Sequence, residues 1–386
     1  MSIKKHLNCP PIENKRYNQL QLLRRPVEHI FSRAGVSING SDPWDIRVRD
    51  SRFYREVLTK GSLGLGESYM RGQWITDDLE GLFYRLCSSD LERTSQRVSG
   101  QSFAPLIDIF INRQAHNRAK SNAEHHYNLG NDLFFEFLGK FKNYSCGYFS
   151  SADTLDDAQI AKMHKLCQLL DLQKGDRLLD VGGGWGEFAK FAATHYYCDV
   201  TSINIAQEQI NHATEYCRDT SVEIVNSDYR DMTGSYNKIA VVAMFTHVGH
   251  KNYRRFMQTM SELLEPGGKM VMETVGGVES KTRCEPWTNK YIFPGGLIPS
   301  MKQIDHSIDG LFQRDSVDEF GHDYAVTLQH WHRNFIAAWP KLRAHYSESM
   351  RLMFEYFFLS VAGDFRAKGL LHYHIAFSKM ADDGTH

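Results

Sequence analysis

The sequence predicts an α/β protein: a Rossmann-like domain on a mainly parallel sheet, preceded by a small α+β or helical domain. Three observations carry that prediction. From about residue 155 onward, short apolar runs alternate with helix-spaced stretches. One strand-like run ends in Asp180 and passes directly into a turn of glycines, Gly182-Gly-Gly-Trp-Gly186. The 386 residues are also more than a single core usually organises, which leaves material for a second, smaller unit.

The first part of the chain is basic. Lys4, Lys5, Lys15, Arg16, Arg24, Arg25 and Arg33 face only Glu13 and Glu28. Leu20, Leu23, Val27, Ile30 and Phe31 recur at three- and four-residue spacing, which predicts an amphipathic helix that Pro26 should kink or split. A helix packed on the body and a basic helix lying on anionic headgroups both satisfy the pattern. An Asn39-Gly40 turn and a short strand at Ile46–Val48 follow. Gly61, Gly64 and Gly66 lack the Lys-Ser/Thr of a phosphate loop and read as turn and packing glycines. These cues place a small domain at 1–92, a polar basic connector at 93–121 and the α/β domain at 122–386.

Within the larger domain, strands are expected at Arg177–Val181, Asp199–Ile205, Val222–Val225, Lys238–Met244, Lys269–Val275 and Leu371–Ser378. Helical Trp- and Phe-rich segments fill the stretch after residue 280. A sheet of this kind binds ligands at the carboxyl ends of its strands, beside the point where strand order reverses.

Composition narrows the function classes. Hydrophobic residues make up 42% and charged residues 24%, with a net charge of -1, so no global basic footprint for nucleic acid exists. No apolar run approaches the roughly 20 residues of a membrane span. Seven scattered cysteines without a CxxC argue for a reducing, cytoplasmic setting rather than a disulfide framework. The eighteen histidines show no HExxH spacing, so no metal site is expected.

The glycine turn points to a particular cofactor. A dinucleotide fingerprint reads GxGxxG, with the helix amides aimed at a pyrophosphate. Here Gly182, Gly184 and Gly186 read GxGxG after an acidic strand end, Asp180, which is the pattern of enzymes that bind S-adenosylmethionine (SAM). The prediction therefore sharpens to a Rossmann-like class I methyltransferase domain. The second strand ends without the usual acidic residue, leaving Asn204 and Gln209 for the ribose hydroxyls. Asp228 and Tyr229, after the third strand, offer a carboxylate and a ring face for the adenine.

Longer segments resemble one family. Gly61-Ser-Leu-Gly-Leu-Gly-Glu-Ser-Tyr, His126-Tyr-Asn-Leu-Gly-Asn-Asp-Leu-Phe, Tyr144-Ser-Cys-Gly-Tyr, Leu179-Asp-Val-Gly-Gly-Gly-Trp-Gly, His247-Val-Gly-His-Lys-Asn-Tyr, Lys290-Tyr-Ile-Phe-Pro-Gly-Gly and Asn334-Phe-Ile-Ala-Ala-Trp-Pro are similar to the cyclopropane-fatty-acid synthases. The resemblance runs from about residue 30 to 380. It implies a SAM-dependent enzyme that adds a methylene across the double bond of an unsaturated phospholipid acyl chain. It further implies a homodimer at the cytoplasmic, inner surface of the membrane, with the small domain engaging lipid. Carried over by motif, Tyr144, Ser145, Gly182, Gly184, Asn204, Gln209, Asp228 and Tyr229 fall at SAM-contacting positions. Cys146 and Tyr324 match the pocket that holds a catalytic bicarbonate in the family. The cysteine common between the first two loop glycines is Gly183 here.

Two pocket positions depart from the family pattern. Phe-Glu-His becomes Phe245-Thr246-His247, and the histidine expected at the end of the fifth strand is Glu273. The pocket's backbone contact falls near Val275. The carboxylate has moved from one strand end to the next. Three chemistries stay open: bicarbonate still binds, Glu273 replaces it as base, or the alkene is methylated to a methyl- or methylene-branched chain without ring closure. A non-catalytic SAM- or lipid-binding partner subunit is the remaining reading. Phe293, Leu297 and Ile298 are candidates for an acyl channel, whereas Phe354, Tyr356, Phe357 and Phe358 read as core.

Overall fold

The computed structural model describes residues 12–89 and 130–380, with side chains from residue 22 onward. The expected linker at 93–121, the first four residues of the His126 motif (126–129) and the basic residues Lys4, Lys5, Lys15 and Arg16 lie outside the residues whose side chains are described.

Helix α1 (Ile12–Ser32) runs unbroken through Pro26. Pro26 is exposed while Val27 and Phe31 point into the core, so the helix keeps its apolar stripe despite the missing amide. Two short strands, β1 (Arg47–Val48) and β2 (Trp74–Ile75), pair antiparallel around α2 (Arg52–Lys60) and α3 (Ser62–Met70). The glycine-rich segment forms the turn before α3 and the helix itself, and its glycines serve as turn and packing glycines, as the sequence reading has them. Only Gly61, at φ 58°, makes the turn from α2 into α3. The other two glycines allow close approach: a Cβ on Gly64 would lie 2.0 Å from the Glu56 carbonyl, and one on Gly66 2.3 Å from the Trp287 ring. Helix α4 (Leu79–Ser88) is capped by Asp78, whose carboxylate accepts from the Gly81 amide.

The second part follows α5 (Asn131–Phe137) and α6 (Leu155–Leu170) with a seven-stranded sheet. Its strands are β3 (Arg177–Val181), β4 (Asp199–Asn204), β5 (Val222–Asn226), β6 (Tyr236–Val242), β7 (Leu264–Gly277), β8 (Phe312–Glu319) and β9 (Leu370–Lys379), in the order β5-β4-β3-β6-β7-β9-β8. The first five are parallel, while β9 runs antiparallel between β7 and β8. Helices α7 (Glu187–Tyr196), α8 (Gln207–Tyr216), α9 (Tyr253–Leu263), α10 (Pro286–Tyr291) and α11 (Met301–Ile308) fill the crossovers. Two long helices, α12 (Gly321–Leu342) and α13 (Glu348–Arg366), precede β9. Each strand expected from an apolar run is present. The sequence reading missed β8, a polar edge strand in which only Phe312 is fully buried.

The small module shares its core with the larger domain. Phe31, Phe53, Trp74 and Leu82 belong to the same buried cluster as Phe134, Trp331, Phe354 and Phe358. Glu80 of α4 accepts from Gln329 and from Arg366 on α12 and α13. Glu67 of α3 accepts from Lys290 and Tyr291 on α10. Among the described residues, no helix is long and apolar enough to cross a membrane.

Candidate active site

Strand order reverses between β3 and β6, and the sequence-predicted residues gather at the carboxyl ends of these strands. The glycine turn after β3 has Gly182 at φ 84° and Gly184 at φ 55°. A Cβ on Gly184 would meet nothing within 4 Å, so the turn presents bare backbone to an open cradle, as a bound cofactor requires. The turn is fastened to β4: the Gly182 and Gly183 amides both donate to the Ile203 carbonyl, and the Asn204 amide donates to Gly184 O at 3.2 Å and to Gln209 Oε1 at 2.9 Å. Asp180 is buried and accepts from the Ser202 hydroxyl at 2.9 Å. Burial pushes its carboxyl up to about 6, against the pull of that hydrogen bond and of Lys162.

Asp228 opens a single turn after β5 and accepts from the Arg230 amide at 3.0 Å. Tyr229 is buried, edge-on to Phe256 at 4.8 Å, so its ring forms the wall behind that loop. Thr246 and His247 lie in the turn after β6. The Thr246 carbonyl accepts from the Leu297 amide at 2.8 Å, which ties that turn to the segment following Phe293. His247 meets the edge of Phe293 at 5.6 Å, and burial pushes its imidazole down to about 4, neutral at ordinary pH.

The Tyr144-Ser-Cys-Gly loop is held from two sides. Thr327 and Asp323 of α12 accept from the Gly147 and Phe149 amides at 3.0 and 2.7 Å. On the other side, Lys162 of α6 donates to Ser145 Oγ at 2.6 Å and Gln159 to the Ser145 carbonyl at 2.9 Å. Tyr144 packs among Phe134, Phe137, Phe293 and Trp331. Cys146 is fully buried, and burial together with the Glu273 charge keeps it a neutral thiol.

Glu273, on β7, is also fully buried. Lys162 Nζ lies 3.9 Å from its carboxylate, His372 Nε2 3.2 Å and His374 Nε2 3.7 Å. Burial alone would raise this carboxyl. The Lys162 charge and the two imidazoles outweigh it and hold the group well below the usual carboxylate range. Tyr324 closes the far side, edge-on to His372 at 5.0 Å and stacked on Phe365 at 4.7 Å.

Lys162, His372, His374, Asp323 and Thr327 escaped the sequence reading. The histidines had a signal: His372-Tyr-His374 on a strand puts two imidazoles on one face. Cross-strand pairing then sets His374 opposite Glu273. Among the described residues, no group of three His, Cys, Asp or Glu side chains is arranged to hold a metal ion.

A sheet of this order with a glycine cradle at its switch point defines a Rossmann-like, SAM-dependent methyltransferase fold. Residues 114–375 match the family model described as mycolic acid cyclopropane synthetase. The chain is 39% identical over 360 residues to the cyclopropane-fatty-acyl-phospholipid synthase of Escherichia coli (strain K12), covering 93% of this chain and 94% of that one. It is 29% identical over 361 residues to the tuberculostearic acid methyltransferase of Mycobacterium tuberculosis, covering 87% and 80%. Among solved structures, a mycolic acid cyclopropane synthase complexed with SAH and CTAB is similar at a TM-score of 0.64 and 28% identity, covering 67% of this chain and 98% of that one. The chain belongs to the mycolic acid cyclopropane synthetase family, and it is an enzyme whose cofactor is SAM.

Proposed function

We propose that the enzyme transfers the methyl carbon of SAM to the double bond of an unsaturated phospholipid acyl chain and closes it to a cyclopropane. The observation that carries this reading is the extent of the match to the Escherichia coli synthase. It takes in 93% of this chain, far more than the cofactor-binding sheet alone.

SAM supplies an electrophilic methyl group on a sulfonium. The Gly182–Gly186 turn, steadied by Asn204, Gln209 and the buried Asp180–Ser202 pair, holds it at the ends of β3 and β4. Tyr144 and Ser145 on the opposite loop, and Asp228 and Tyr229 after β5, are the residues that would complete its site. Attack of the alkene's electron pair on that methyl carbon would form the new carbon–carbon bond as the methyl–sulfur bond breaks, its electron pair leaving on the thioether sulfur of S-adenosylhomocysteine and positive charge remaining on the acyl chain. Tyr144, with Trp331 at 5.2 Å and Phe293 at 6.2 Å, supplies aromatic surface that would exclude water able to quench the cation. Loss of a proton from the added methyl then releases the electrons that close the ring. The acyl chain enters past Phe293, Leu297 and Ile298.

Lipid is met at the inner face of the bilayer, where the basic N-terminal segment is drawn to anionic headgroups, and two copies of the chain work as a homodimer. Binding to anionic vesicles that weakens with salt tests the first point, and light scattering tests the second.

The decisive experiment incubates the protein with monounsaturated phospholipid vesicles and SAM labelled in its methyl group, then reads the fatty acids by NMR. Label in ring protons is the expected result. Label in an open-chain branch makes the enzyme a lipid C-methyltransferase. No label in lipid, with SAM binding intact, makes the chain a non-catalytic partner subunit.

A further inference from the structure

The cluster around Glu273 does not fit a bound bicarbonate. Where the family pattern supplies an imidazole to receive the anion, this chain places a carboxylate, and at the other acidic position it has Thr246. Among the described residues, the titratable side chains against Glu273 are Lys162 from α6, Cys146 from the motif loop, and His372 and His374 from β9, with Tyr324 of α12 behind His372. Lys162 is the single fixed cation among them. It already serves Glu273 and donates to Ser145, so a second anion would meet the Glu273 charge without a counter-ion of its own. Both Glu273 carboxylate oxygens are buried, and neither accepts an aligned hydrogen bond from the described residues. A carboxylate in that condition costs the folded state stability, and a cost of this kind is retained where the reaction uses the charge.

From this geometry we infer that Glu273 takes the place of bicarbonate: it is the resident counter-charge for the acyl cation and the acceptor of the proton lost on ring closure. The inference rests on the proposed lipid reaction. In that step the C–H bond of the transferred methyl breaks, its electron pair forms the third side of the ring, and the proton passes to a Glu273 oxygen. Lys162 is a positioning residue that keeps the carboxylate ionised. His372, whose Nε2 lies 3.2 Å from that carboxylate, is the neighbouring group placed to take the proton from it. The base need not be strong, because a methyl beside a carbocation is a very strong acid. It needs to be ionised, dry and fixed in place.

The test compares cyclopropane formation in buffer stripped of carbon dioxide with formation after excess bicarbonate is added. The wild-type rate is expected to be the same in both. Glu273→Gln should lower the rate by about 10²–10⁴-fold while leaving SAM affinity unchanged. Glu273→Ala, which opens space for a small anion, should regain activity with formate or bicarbonate. A wild-type rate that climbs about tenfold or more on adding bicarbonate overturns the inference, as does a Glu273→Gln variant within a few-fold of wild type. Should the variants fail to fold, the wild-type comparison decides alone. If wild type labels no lipid in either buffer, the proposed function fails and takes the inference with it. A ring product that depends on bicarbonate sinks only the inference.

Discussion

Gly183 and Ser202 form a coupled pair whose strength can be worked from the structure. A Cβ on Gly183 would lie 1.8 Å from Ser202 Oγ, 2.6 Å from Asp180 Oδ2 and 3.2 Å from Ser202 Cβ. The φ of Gly183 is not positive, so the obstacle to a side chain there is Ser202 and not the backbone. Ser202 can rotate its hydroxyl away only by giving up its bond to Asp180, a buried carboxylate. A lost hydrogen bond to a charged group costs about 1.5–3 kcal/mol. Residual crowding against Ser202 Cβ brings the expected cost of Gly183→Ala or Gly183→Cys to about 2–4 kcal/mol. Ser202→Gly removes the Ser202 obstruction and the same hydrogen bond, so the double variant should lose that bond once and not twice, with a coupling energy of about 1–3 kcal/mol. Urea midpoints of wild type, both single variants and the double variant measure the cycle, and titration calorimetry with SAM checks that the cradle is intact. Additive effects, or Gly183→Ala within about 0.5 kcal/mol of wild type, would refute the reasoning. The family's common cysteine between these glycines is then excluded here by the serine on the neighbouring strand.

Three further outcomes are expected. Ala243, at the end of β6, sits at φ 54°, a conformation that penalises a Cβ, so Ala243→Gly should stabilise the protein by about 0.5–1 kcal/mol in the same urea assay. Burial works to raise the Glu67 carboxyl, but Lys290, Lys60 and Tyr291 win and hold it at about 2 rather than 4.5. The stability it contributes is therefore fully present above pH 4.5 and lost as pH falls toward 2. Glu67→Gln should flatten that part of the acid-unfolding profile and cost about 1–2 kcal/mol at neutral pH, the half-exposed lysines being screened by solvent. Asn204→Ala frees the Gly184 carbonyl and Gln209 from their shared donor, and calorimetry should show SAM binding weakened by about tenfold.

Local rules made much of the fold legible. The buried parallel strands read as apolar runs, since both faces are covered, and the glycine turn stood out because its backbone conformation restricts residue choice. Strand β8 was missed because an edge strand with one wet face looks polar. Gly64 and Gly66 stood out as packing glycines, and only the folded chain shows that a neighbouring helix and the Trp287 ring occupy the space their side chains would need.

The sequence by itself determined the family, the cofactor turn, the Cys146 loop and a carboxylate, Glu273, near the end of the fifth parallel strand. Each is written in a contiguous motif or at one strand end. Only the tertiary structure decided what surrounds that carboxylate. Lys162 reads as an ordinary helical lysine, and His372 and His374 read as residues of a late strand. Their meeting at Glu273 depends on α6 crossing the sheet and on β9 returning antiparallel beside β7. Charges brought together from distant positions in the sequence leave no local pattern, because their interaction depends on distance and burial, which only the packed chain fixes.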